Sequence, residues 1–226
     1  MVALIYILDE SVGKDALTLK GELHKYLIKV RRHEVGDEIA MRNKESIEIL
    51  HHYKILEIDG RSLSLELIDS KTDLVETAKE LHIAWCVVDA KSIEKVLPSL
   101  CEIGVSKISF IYCDRSQKNF KLDFKRLERI TEASMQQSGR TSFMLFDTYK
   151  NIASFVEEFP DTKVFDFTDK VLSAESDFQR VLIGCEGGFS KEEKEFLQTQ
   201  EVFRLDTPMV LRSESAVMAV ASKILL

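Results

Sequence analysis

The residues best suited to chemistry lie in one C-terminal run, Val181-Leu-Ile-Gly-Cys-Glu-Gly-Gly-Phe-Ser-Lys-Glu-Glu193. It opens as a buried strand and turns through Gly184, Gly187 and Gly188, where bare backbone can approach a ligand closely. Ser190 and Glu193 have the S-x-x-E spacing of a capping box, so a helix is expected to start at Ser190. A glycine-rich passage from a strand end into a helix start offers free N–H groups to anions or polar ligand atoms. The plainer reading is a tight turn. The run lacks the G-x-G-x-x-G spacing of a dinucleotide site and the G-K-[ST] ending of a P-loop.

A second stretch, Leu205-Asp-Thr-Pro-Met-Val-Leu-Arg-Ser-Glu-Ser-Ala216, leaves a strand, crosses a turn at Pro208 and enters an apolar helix. Ser213 is expected to cap that helix, with Glu214 and Ser215 in its first turn. Arg212 stands just before it, either in a surface ion pair or as a contact to a phosphate or a base.

These loops need elements to hold them. Residues 1 to about 70 read as β-rich. Ser46–Leu50, Tyr53–Ile58 and Ser62–Ile68 alternate apolar and polar residues, and Asp59-Gly60 is a hairpin signal. Val2–Leu8 reads as a further strand, and Glu22–His33 as a short basic helix before a turn at Gly36-Asp37. A small, partly closed barrel with an inserted helix is the expected form. Residues 71–79 are polar and resemble a linker. From Glu80, strand-like runs alternate with helical ones: His82–Val88, Ser92–Ile103, Lys107–Cys113, Asp123–Ser138, Phe143–Phe146 and Asn151–Phe159. Strands at Val164–Phe167, Val181–Gly184 and Val202–Leu205 follow, with helices at Lys191–Gln200 and Ser213–Leu226. Such alternation predicts a parallel sheet covered by helices on both faces. Pro98 is expected to delay or kink its helix.

The 226 residues carry a formal charge of −7, which alone argues against a nucleic-acid partner. The distribution differs from the total. Lys14, Lys20, Lys25, Lys29, Arg31 and Arg32 form one basic island; Arg115, Lys118, Lys121, Lys125, Arg126, Arg129 and Arg140 form another. They are either a phosphate-facing side or merely solvated surfaces. Cys86, Cys101, Cys113 and Cys185 show no C-x-x-C spacing, so no metal is expected; Cys86, Cys101 and Cys113, among apolar neighbours, read as buried reduced thiols. His51-His52, adjacent on a strand, point to opposite faces and make poor joint ligands. No apolar run is long enough for a bilayer and no export signal is read at the start, so no membrane partner and a cytoplasmic location are expected.

The two C-terminal stretches resemble the paired motifs of the 16S ribosomal RNA uridine-N3 methyltransferases, the RsmE family of the SPOUT class. The first family motif, G-P-E-G-G-[FL]-[ST]-x-x-E, is matched by Gly184, Glu186, Gly187, Gly188, Phe189, Ser190 and Glu193. The second, L-G-x-x-[IV]-L-R-x-E-T-A, is matched by Leu205, Val210, Leu211, Arg212, Glu214 and Ala216. Weaker patches fall in order upstream: Lys29-Val-Arg-Arg32 with Gly36-Asp37, Cys101-Glu-Ile-Gly-Val105 with Asp114-Arg-Ser116, and Glu132-Ala133 with Gln136-Gln-Ser-Gly-Arg140. Departures are Cys185 for the usual Pro, Gln136 for Glu, Asp206 for Gly and Ser215 for Thr; the Arg often found near the family's N-terminus is missing.

The resemblance implies an α/β protein: a PUA-like β-barrel holding RNA (1–70), the linker (71–79), and a SPOUT methyltransferase domain with a trefoil knot (80–226). It implies methylation at N3 of uridine 1498 in the 16S ribosomal RNA of the small subunit, with S-adenosyl-L-methionine as cofactor, by a homodimer with its active site at the dimer interface. The cofactor would lie against Leu182, Ile183, Gly184, Cys185, Glu186, Gly187, Gly188, Leu205, Val210, Leu211, Ser213 and Ala216. Arg212 would offset negative charge on the uracil. Glu186 would be a base or an acceptor for loop N–H groups. Lys25, Lys29, Arg31, Arg32, Arg115 and Arg140 would grip RNA, with intramolecular pairing as the alternative for the last two. Two rival readings are a SPOUT enzyme acting on transfer RNA and a non-catalytic ribosome-binding assembly factor.

Overall fold

Period-two alternation builds the N-terminal part into one five-stranded sheet. Its order is β1 (Ile7–Leu8), β3 (Glu38–Asn43), β4 (Ser46–Ile58), β5 (Ser62–Thr72), β2 (Ala16–Lys20). The computed structural model describes residues 6–117, 121–173 and 178–226. Most of the expected N-terminal strand, and Lys118, lie outside them. Only β1 and β3 pair in parallel; the remaining pairings are antiparallel. Leu17, Leu19, Ile39, Met41, Tyr53, Ile55, Leu63 and Leu65 fill the core. Among the described residues the outer strands β1 and β2 do not pair with each other, so the sheet is an open half-barrel, more open than the partly closed barrel expected. The two strands expected over residues 46–58 are one. The register shifts between His52 and Tyr53, and that irregularity is why the alternation changes phase there.

Between β2 and β3 lies α1 (Gly21–Lys25), which continues as a π-helical turn over Tyr26–Val30. The Arg31 N–H donates to the Tyr26 carbonyl at 3.0 Å, and Leu27 anchors the turn in the core. Arg32 follows with φ of 59°, the only non-glycine residue with positive φ among those described. Strand β5 runs to Thr72, two residues into the stretch read as a linker. Hydrogen bonds from Asp73 N to Glu48 O and from Thr141 N to Val75 O hold the residues that follow.

By contact, the chain divides into two units: Met1–Glu76 with Gln136–Ser142, and Thr77–Met135 with Phe143–Leu226. The second unit alternates strand and helix as the pattern predicts: β6 (His82–Cys86), α2 (Ala90–Ile103), β7 (Lys107–Ile111), α3 (Phe124–Ser138), β8 (Leu145–Tyr149), α4 (Ile152–Glu158), β9 (Lys163–Phe165), β10 (Arg180–Ile183), α5 (Lys191–Phe196), β11 (Val202–Phe203) and α6 (Ser213–Leu225). The six strands are all parallel, in the order β11-β9-β10-β6-β7-β8. Every residue of β6 is buried, as a central strand covered on both faces requires. No helix among the described residues is long and apolar enough to cross a membrane.

Helix α2 starts earlier than expected, because the Asp89 side chain accepts from Ser92 N and caps it. The helix continues through Pro98, whose carbonyl accepts from the Ser134 hydroxyl of α3 at 2.9 Å. It ends at Gly104, with φ of 106°. A Cβ there would lie 2.0 Å from the Thr77 methyl, so both conformation and space demand glycine. Gly104→Ala should therefore cost about 2 kcal/mol in chemical denaturation, at unchanged m-value.

Candidate active site

Three adjacent parallel strands, β11, β9 and β10, end on one side, and their following loops enclose a cavity of ≈ 370 Å³. Ligand sites belong at such carboxyl ends, where successive loops diverge. The β10 loop contributes Ile183 through Phe189; β9 contributes Phe165, Asp166 and Phe167; the β11 loop contributes Arg204, Leu205, Thr207, Met209, Val210 and Leu211. Ser213 and Ala216 from α6, Lys194 from α5 and Arg115 complete the wall.

The glycine run is shaped as its sequence predicts. Gly188 N donates to Cys185 O at 2.9 Å, closing a turn, and Gly188 has φ of 65°. A Cβ on Gly187 would meet the Arg115 side chain at 3.3 Å. Ser190 and Glu193 form the expected capping box: Glu193 N donates to Ser190 Oγ and Ser190 N donates to Glu193 Oε2.

A short loop after β7 buttresses the run. Glu193 Oε1 accepts from Asp114 N at 2.9 Å, Ser190 Oγ donates to Asp114 Oδ2 at 2.6 Å, and Arg115 Nη1 donates to Gly187 O at 2.6 Å. Beside it, Cys113 Sγ lies 3.7 Å from Cys185 Sγ and 3.1 Å from Ser116 Oγ. Contacts from the Cys185 and Cys86 thiols hold Cys113 well below the ordinary thiol range; the Cys113 contact and burial push Cys185 up.

Ser213 departs from its expected place. Arg212 occupies the N-cap position of α6 and makes no side-chain cap. The Ser213 hydroxyl instead accepts from Trp85 Nε1 at 2.8 Å and donates to Gly184 O at 2.6 Å. One hydroxyl thus joins the central strand, the glycine run and the first turn of α6.

Of the residues expected to hold a cofactor, all but Leu182 line the cavity. Leu182 alternates to the other side of β10 and is fully buried in the core. Glu186 is exposed on the cavity wall and accepts no loop N–H among the described residues, so the acceptor role is not what its position serves. Arg212 is exposed, outside the wall, and has no ion pair among the described residues.

The basic islands separate. Lys25, Lys29, Arg31 and Arg32 are exposed on α1, its π-turn and the two residues that follow, with Arg31 5.8 Å over the exposed Tyr26 ring and Lys25 paired with Glu22. Arg140 needs correcting as an RNA contact, and the exposed Arg115 has a partner within the chain. Arg115 is bonded to the glycine run, and Arg140 is buried, donating to Ser142 O at 2.6 Å. Sequence reasoning missed Asp166 and Lys194, an ion pair at 2.8 Å on the cavity wall, and also Phe165, Phe167 and Arg204. The strand order would have pointed to β9, but order cannot be read from pattern alone.

Ser213→Ala would strand the buried Trp85 N–H and the partly buried Gly184 carbonyl. The expected loss is about 2 kcal/mol of stability. Trp85 is the only tryptophan, so its emission should report a disturbed indole contact in the folded variant before unfolding.

Comparison with known proteins agrees with this geometry. The family described as RNA methyltransferase domain matches residues 75–225. Ribosomal RNA small subunit methyltransferase E of Helicobacter pylori is 36% identical over 210 residues, covering 91% of this chain and 92% of its own. The protein of the same name from Aquifex aeolicus is 26% identical over 230 residues, covering 96% and 97%. Among solved structures, a methyltransferase from Legionella pneumophila in complex with the cofactor SAM superposes with a TM-score of 0.77 at 21% identity, over 96% of this chain and 94% of that one. A ribosomal RNA small subunit methyltransferase E from Neisseria gonorrhoeae, bound to S-adenosyl methionine, also gives 0.77, at 15% identity over 97% and 95%. At these identities the two structures speak for the fold, while the Helicobacter relative and the domain match carry the assignment: the chain belongs to the ribosomal RNA small subunit methyltransferase E family, within the RNA methyltransferases.

Proposed function

We propose that this chain transfers a methyl group from S-adenosyl-L-methionine to N3 of a uridine in the 16S RNA of the small ribosomal subunit, at the family's position 1498. The carrying observation is the cavity at the strand ends, walled by the two family motifs together. Its residues fit the cofactor. At ≈ 370 Å³ the cavity lies in the range of small-molecule sites. Ile183, Leu205, Leu211 and Ala216 give apolar surface for an adenine, and the bare backbone of Gly187 and Gly188 with the Asp166–Lys194 pair suits polar and charged atoms.

When bound, the cofactor supplies an electrophilic methyl group. The chain's own residues must remove the proton from uracil N3 and stabilise the resulting charge. Glu186, exposed on the cavity wall, is the proposed proton acceptor, through its carboxylate oxygen. Arg212, exposed and uncommitted among the described residues, is the proposed partner of the uracil oxygens. Lys25, Lys29, Arg31 and Arg32 grip RNA phosphates; their common exposure supports this role for the first unit. Phe167, Met209 and Val210, 71–77% exposed around the cavity, support a homodimer that covers them. A trefoil knot formed by the cavity loops, and a cytoplasmic location, complete the reading.

The test is radiolabelled methyl transfer to small ribosomal subunits lacking the native uridine methylation, with transfer RNA as control and the base identified by mass spectrometry. Label on N3 of a small-subunit uridine is expected. Label on transfer RNA would replace the substrate, and neither label nor cofactor binding would leave a non-catalytic ribosome binder. Gly187→Val should weaken cofactor binding at least tenfold in a folded protein, because a Cβ there already meets Arg115 at 3.3 Å and the added methyls must displace that side chain or enter the cavity. Arg212→Lys should keep cofactor affinity and lower turnover about a hundredfold, since the bidentate fork is lost. RNA affinity should fall with salt at a log–log slope of about −3 for four phosphate contacts.

A further inference from the structure

The methyl-transfer reading leaves the sulfur atoms beside the cavity unused. Three adjacent parallel strands each deliver a cysteine at their carboxyl end: Cys185 just after β10, Cys86 at the end of β6, and Cys113 just after β7. Cys86 and Cys113 are fully buried, whereas Cys185 lines the cavity and is 8% exposed. The Cys185 and Cys113 sulfurs are 3.7 Å apart. We propose that Cys113 and Cys185 are an oxidisable dithiol, which hydrogen peroxide reaching the cavity converts to a disulfide that distorts the cofactor site.

Geometry decides which pair reacts. A disulfide requires the sulfurs to approach to about 2.05 Å, so one of them must move. Cys86 is locked in the central strand. Cys185 sits in the glycine run, between Gly184 and Gly187, where the backbone can follow. The chemistry is balanced by the peroxide. One thiol of the pair becomes a sulfenic acid, releasing one water; the other, as thiolate, attacks that sulfur, and the departing oxygen leaves as a second water. Two thiols and one hydrogen peroxide give one disulfide and two waters.

The consequence lies in the cavity wall. The Cys185 carbonyl closes the turn with Gly188 N, and its sulfur contacts Gly188 O at 3.6 Å. Pulling Cys185 toward Cys113 opens both contacts and displaces the wall residues Glu186 to Gly188. That the displaced wall serves S-adenosyl-L-methionine rests on the proposed function; the oxidation site itself does not.

The experiment treats the full-length protein with hydrogen peroxide. It follows intact mass, the cross-linked peptide, and S-adenosyl-L-methionine affinity by calorimetry. Expected are the loss of two hydrogen atoms, a Cys113–Cys185 peptide, and cofactor binding weakened tenfold or more, restored by dithiothreitol. Bound cofactor should slow the cross-link by covering Cys185. Cys113→Ala should bind cofactor normally under reducing conditions, should not cross-link, and should keep its affinity after peroxide. A cross-link to Cys86 in place of Cys185, sulfinic acid without a cross-link, or a Cys113–Cys185 bond in a protein that still binds cofactor normally would each overturn the proposal. Failure of the untreated protein to bind cofactor would count against the proposed function instead, and the mass measurement would still read the dithiol.

Discussion

Trp85 sits on the central strand of the parallel sheet, and it is the largest fully buried side chain. An indole N–H can only donate, and burying it without a partner is costly. Its acceptor is Ser213 Oγ, whose own proton is thereby directed to Gly184 O. The direction of each bond is fixed by the donor at one end and the carbonyl at the other. The two cavity loops are therefore in register with the core and with each other. The cost is local: α6 has no side-chain cap, a feature ordinarily worth about 1 kcal/mol. The hydroxyl that would have capped the helix secures the cavity instead.

The same economy explains Arg115. An arginine in a basic stretch reads as a phosphate ligand when only neighbouring charges are considered. In the structure its guanidinium satisfies the Gly187 carbonyl, and its aliphatic stem lies 3.3 Å from where a Cβ at Gly187 would sit. Asp114 and Ser116 act on the same scale. Asp114 takes the Ser190 hydroxyl, and Ser116 donates to Ile111 O while contacting Cys113. Removing the buried Arg140 from the RNA-facing set leaves the exposed group on α1, its π-turn and the two residues that follow. This smaller basic surface is still compatible with the chain's net charge of −7.

Much of this was legible because it is local. The capping box at Ser190, the Asp59-Gly60 hairpin and the alternating strands and helices after Glu80 each follow from residues close in sequence. The cavity wall was legible through two motifs that a resemblance placed together. What escaped depends on partners distant in the chain. Ser213 was expected to cap because its neighbours in sequence invite it, but its hydroxyl is claimed by Trp85, 128 residues away. Leu182 was expected on the cavity wall through the resemblance, yet strand alternation turns it into the core. The openness of the N-terminal sheet is also non-local, since edge pairing is not encoded in either edge strand alone.

The two sides of the cavity are held by different kinds of force, and this determines which side can adjust to a ligand. On the α6 side, buried and satisfied hydrogen bonds tie Ser213 to the rigid center of the sheet. On the glycine side, Gly187 is held by an exposed guanidinium and Cys185 by soft contacts of sulfur at 3.6–3.7 Å. Bonds exposed to water are readily exchanged, whereas buried ones are expensive to break. Cys185 reinforces the contrast. Where the family motif has proline, with a fixed φ and no N–H, this chain has a residue free of the ring constraint and carrying a polarisable sulfur. Adjustment to a bound molecule must therefore fall on residues 185–188, with α6 and the Gly184 carbonyl bonded to it as the fixed reference against which they move.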